Sequence, residues 1–89
     1  MAKATGAEFA QLANIAELID SGGQIQVGQI YPIECAAVAN DEHNCLAMLQ
    51  RRRDETLWQL LCRLDDAIGR AWSEDFFTDE INPPSPSRR

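Results

Sequence analysis

Ile33-Glu-Cys-Ala-Ala-Val-Ala39 and Cys45-Leu-Ala-Met-Leu49 are two short apolar stretches separated by Asn40-Asp-Glu-His-Asn44. After Arg51 the rhythm changes, and Asp54-Glu-Thr-Leu-Trp-Gln-Leu-Leu-Cys-Arg-Leu-Asp-Asp-Ala-Ile68 reads as a long amphipathic helix. Extended pieces followed by a helix define a small α+β module. The segment between the two apolar stretches is a loop by composition, because Asn and Asp tolerate turn geometry and bond to nearby backbone.

The stretch from Ile33 has a helical competitor. Pro32 suits a first helical position, Glu34 suits the N-terminal turn, and alanines favour helix. A helix ending at Asn40 would span barely two turns, however, and such fragments are marginal in isolation. Strand is therefore the preferred reading. A hairpin symmetric about Glu42-His43 would set Ala39 opposite Leu46 and Cys35 opposite Gln50. In the second strand Leu46 and Met48 point one way, Ala47 and Leu49 the other. A strand apolar on both faces needs cover on both sides. Two strands alone are unstable in water, so either Gln24–Ile30 supplies a third or a second copy of the chain completes the sheet. Gly28 and Pro32 limit the length of that third strand.

Upstream, Thr5-Gly-Ala-Glu8 matches a capping box. Phe9, Leu12, Ala13, Ala16 and Ile19 recur at helical spacing, and Ser21-Gly22-Gly23 supplies a stop. The expected first helix covers residues 6–20. Downstream, Asp54 is the expected N-cap of the second helix, which should end near Ser73. Its apolar stripe is Leu57, Leu60, Leu61, Leu64, Ala67, Ile68, Ala71 and Trp72, with Leu61 and Leu64 packed on the hairpin. Gln59, Arg63, Asp66 and Arg70 lie towards the opposite side, and Trp58 lies at the margin. Residues 1–81 read as one small domain, and 82–89, rich in Pro, Ser and Arg, as a flexible tail.

A chain of 89 residues buries a modest core. Small cores are commonly reinforced by disulfides, metals or self-association. Three cysteines without a Cys-x-x-Cys spacing fit a reducing compartment and read as small packing residues. The initial residues lack a signal peptide's apolar run, and no segment approaches the ~18 apolar residues of a membrane span. The expected setting is cytoplasmic, without membrane association. The net charge is −6, and −8 without Arg88 and Arg89. Such a body repels phosphate backbones, which disfavours nucleic acid as a partner.

Catalytic and metal signatures are weak. His43, Cys45 and a neighbouring carboxylate could be imagined as ligands, but their spacing matches no zinc pattern. A Cys–His pair needs a third orienting group and a pocket. Gly22-Gly23 and Gly28 lack the pattern of a phosphate loop. No cofactor is implied, and the chain reads as non-enzymatic.

Two clusters suggest contact with other proteins. Arg51, Arg52 and Arg53 could grip phosphate or an acidic partner, although charge runs are mostly solvated junctions. Phe76 and Phe77 sit among Asp75, Asp79 and Glu80, an acidic-aromatic composition that could dock on a basic groove or fold back onto the core. The leading reading is a homodimeric protein–protein interaction module, with Leu46, Met48 and Leu49 at the dimer interface. The alternative is an acidic inhibitor of phage or mobile-element type, mimicking nucleic acid toward a basic nucleic-acid-processing protein.

Overall fold

Strand pairing overrides helix propensity in the stretch that begins at Ile33. The computed structural model describes residues 12–81. In it α1 (Ala13–Asp20) precedes β1 (Gln24–Ile30), β2 (Ile33–Asn40) and β3 (Cys45–Gln50), followed by α2 (Leu57–Glu74) and β4 (Thr78–Asp79). The strands form one sheet in the order β1-β2-β3-β4. β1, β2 and β3 make an antiparallel meander, while β4 pairs with β3 in parallel. The architecture is α+β, and Gln24–Ile30 is the third strand. The Thr5–Glu8 capping box, Phe9 and the 82–89 segment lie outside the described residues, whereas Leu12 precedes α1 rather than belonging to it.

β2 is paired on both sides, so every alternate residue meets a neighbour on each flank. Its alanines are poor strand formers. They are there for space: Ala37 and Ala39 are fully buried in one cluster with Leu60, Leu64 and Ile68 of α2. Both helices cover this face, α2 over β2 and β3, α1 beside α2 and against β1.

The hairpin register departs from the symmetric expectation. Asn40 pairs with Cys45, but Ala39 pairs with Ala47 and Ala36 with Gln50. Leu46 is the extra residue of a β-bulge, which breaks strict alternation. Leu46, Ala47 and Leu49 therefore all enter the helix-covered core, at 3%, 1% and 1% exposure. Met48, paired with Val38, stays half-buried. The bulge removes most of the two-faced character that the strand pattern implied.

The stripe on α2 is narrower than its periodicity suggests. Leu60, Leu64, Ala67, Ile68 and Ala71 are buried, Leu61 is half-buried, and Leu57 and Trp72 are exposed. The sheet and α1 cover only the central turns, leaving both ends of the helix overhanging. The helix starts two residues later than expected. Thr56, not Asp54, is its N-cap: Gln59 N donates to Thr56 Oγ1 at 3.1 Å and Thr56 N donates to Gln59 Oε1 at 2.9 Å. Gln59 is thus part of a capping box rather than a neutral position on the outer face. Of the cysteines, Cys35 packs on the core and Cys62 is half-buried, but Cys45 is exposed and so is not a packing residue. No helix among the described residues is long and apolar enough to cross a membrane.

Candidate functional site

Side-chain hydrogen bonds converge at the junction between β3 and α2. Gln50 ends β3, and Arg51–Arg53 run across to the capping box. Arg51 Nε donates to the Glu55 carbonyl at 2.9 Å, and Arg52 N donates to Glu55 Oε1 at 3.0 Å. Arg63, two turns into α2, grips the same carboxylate through Nε at 2.6 Å and Nη2 at 2.9 Å. This forked geometry suits a guanidinium. Its Nη1 donates to Glu80 Oε2 at 2.7 Å and Nη2 also to the Gln50 carbonyl at 3.0 Å. Glu80 in turn accepts from Gln50 N at 3.1 Å. Arg63 therefore fastens the end of β3, the arginine loop and the segment after α2 to one point.

Arg63 does not lie on a bare solvent face, as helical phase alone suggested, and its side chain is only 21% exposed. Its partners come from three distant segments, so no local pattern revealed it. The capping box Thr56-Leu-Trp-Gln59, by contrast, was available as a local signal.

The hydrogen bonds from Arg63 hold the Glu55 carboxyl well below its ordinary 4.5, at about 2. A carboxylate with a depressed folded-state pKa contributes stability that is complete above its ordinary value and is lost as pH falls through the folded one. Stability should thus decline between pH 4.5 and about 2, read as falling urea midpoints. Glu55→Gln should start less stable and show a shallower decline. An equally steep decline in the variant would mean that other carboxylates carry the acid sensitivity.

Two clefts flank the loop. One, of about 720 Å³, is lined by Arg52, Arg53, Trp58, Cys62 and Arg63 among others. The other, of about 600 Å³, lies between Ile33, Cys35, Gln50 and Arg51–Arg53. The first sets the half-exposed indole of Trp58 beside a rim of mixed charge, since Asp54 and Glu55 line it together with Arg52, Arg53 and Arg63. Burial, then the Asp65 and Asp66 carboxylates, push the Cys62 thiol up. Although Cys45 is exposed as a residue, partial desolvation of its sulfur does the same there, with a further contribution from Asp79. Both thiols are thereby kept from the reactive thiolate form.

The acidic-aromatic stretch is neither a free tail nor a cap on the core. Asp75 ends α2 in the left-handed conformation, at φ 58°. Thr78 and Asp79 then pair with Ala47 and Met48, and Glu80 N donates to the Met48 carbonyl at 2.8 Å. The backbone is pinned while Phe76 and Phe77 remain 48% and 49% exposed. Arg70 lies 4.4 Å above the Phe76 ring, a cation–π contact.

The hairpin loop is closed by Asp41, whose carboxylate accepts from His43 N at 2.8 Å and Asn44 N at 2.7 Å. His43 points outward beside Glu42, both largely exposed. Among the described residues no three His, Cys, Asp or Glu side chains gather as a metal site. Of the residues expected at a dimer interface, Leu46 and Leu49 are consumed by the protomer's own core. Only Met48 retains accessible surface, on the face away from the helices. No family model, no curated protein and no solved structure matches this chain.

Proposed function

We propose that this chain is a non-enzymatic protein–protein interaction module that works as a homodimer. The observation that carries this reading is surplus aromatic surface. Trp58, Trp72, Phe76 and Phe77 are 42–49% exposed in a domain with a small core. Apolar side chains gathered in water mark surfaces that another molecule covers, and Trp72, Phe76 and Phe77 follow closely on one another where α2 ends.

The acidic-mimic alternative has less to stand on. A mimic presents unpaired carboxylates in an array; Asp66 and Asp75 are exposed, but Asp65 is buried, Glu55 and Glu80 pair with Arg63, and Glu74 meets Arg70 at the surface. Light scattering on the full chain tests the leading reading. The expected mass is twice that of the monomer and persists in molar salt, because apolar association is not screened. A monomer that binds polycations only at low salt would favour the mimic.

A further inference from the structure

We propose that the homodimer closes through antiparallel pairing of β1 with β1 of a second copy, about a two-fold axis at Gln26. This assignment rests on the homodimer reading and places the axis at β1, across the sheet from β4 and the exposed Phe76 and Phe77, whose surface it leaves to a separate contact.

The sheet ends on one side at β1 and on the other at β4. The two edges differ in how they treat an approaching strand. β4 is two residues long and sits among Asp75, Asp79 and Glu80, a short and charged edge of the kind that discourages pairing. β1 is seven residues long and has no partner on its outer side among the described residues. It carries no charge at all. Residues 21–33 contain no Asp, Glu, Lys, Arg or His and form the longest such run in the chain.

That neutrality bears on the identity of the partner. A two-fold axis sets each surface against its own copy, so any charge in the interface meets a like charge. In a protein of net charge −6, an uncharged edge is the surface where two copies approach with least repulsion. The backbone of such an edge offers unpaired N–H and C=O groups as a template for another strand.

The register follows from the side chains. Gly28 has a φ of 137° and begins the irregularity that interrupts pairing with β2, which confines regular strand to Gln24–Gly28. Centring the axis on Gln26 opposes Gln24 with Gly28 and Ile25 with Val27. Directly opposed residues of antiparallel strands share a face. Ile25 and Val27, both half-buried against the core cluster, would then extend that apolar layer across the dimer. On the other face the two Gln26 amides can each donate to and accept from the other.

Sedimentation equilibrium and disulfide trapping test this on the full chain. Gln26 is exposed, so Gln26→Lys should keep its fold by circular dichroism. It should weaken dimerisation at least ~10-fold, because it places two ammonium groups directly opposite each other. In a Cys45→Ser background, Gln26→Cys should form a covalent dimer on oxidation, since opposed Cα atoms lie ~5 Å apart, within disulfide reach. A wild-type chain that is monomeric at every concentration would overturn both the homodimer and this edge, leaving β1 to a foreign strand. A wild-type dimer that survives Gln26→Lys and is not trapped through Gln26→Cys would preserve the homodimer and overturn the edge assignment. In that outcome the axis would pass through the exposed aromatic surface.

Discussion

Leu64→Ala is expected to destabilise the protein by about 2–5 kcal/mol, the usual range for truncating a buried leucine. Leu64 is fully buried in the cluster that joins α2 to β2 and β3. Its removal withdraws apolar area and leaves a cavity between elements held apart by their other side chains. A domain of this size has a total stability of order 5 kcal/mol, so the variant should be largely unfolded at physiological temperature. Leu61, half-buried on the same helix, should lose only about 1 kcal/mol as alanine. Glu17, exposed on α1, should change by no more than ~0.5 kcal/mol. Urea denaturation of the three variants reads the phase of α2 directly. Equal losses at Leu64 and Leu61 would mean that the helix is rotated from the orientation described.

Asp65→Ala should cost about 2–3 kcal/mol by removing a charged acceptor and stranding its donors. α1 has Leu12 as its N-cap and so no side-chain cap of its own. The cap comes from the other helix. Asp65 Oδ1 accepts from Ile15 N at 2.8 Å, and its Oδ2 accepts from Asn14 Nδ2 at 3.2 Å. Asp65, 6% exposed as a residue, also turns its carboxylate to the positive end of the α1 dipole. Gly69, one turn along, permits the approach, since a Cβ there would come 2.7 Å from Asn14 Nδ2. Asp65→Asn keeps an acceptor and loses only the charge, so it should cost about 1 kcal/mol or less. Hydrogen exchange at the Ile15 amide should accelerate strongly in Asp65→Ala and weakly in Asp65→Asn. An Asp65→Ala protein as stable as the wild type would mean that α1 holds its first turn without α2.

Much of the element layout was legible because it rests on local signals. Gly22 and Gly23 stop α1, the loop at Asn40–Asn44 separates β2 from β3, and the leucine spacing announces α2. The Thr56–Gln59 capping box was equally local, but the charge pattern at Asp54 and Glu55 drew the helix start two residues too early. The candidate site was legible only in part. The arginine run and the aromatic pair stood out by composition, whereas the residue that ties the arginine loop to Glu80 did not. Arg63 looks like any cation on a polar helix face until Glu55, Glu80 and the Gln50 carbonyl are brought to it.

Periodicity and turn chemistry by themselves placed most of the helix and strand segments of this protein, because both act over a few neighbouring residues. Tertiary structure decided three further things. It settled Ile33–Asn40, where strand was preferred over a helical competitor, since pairing on both sides outweighs the helix propensity of alanine. It turned Leu46 inward through the bulge, since alternation specifies a face only while the register is regular. It also took Asp65, for which no local pattern gave a role, and made it the buried cap of α1. Residues 15 and 65 meet only after the chain has folded, and a buried amide requires a partner wherever in the sequence that partner lies.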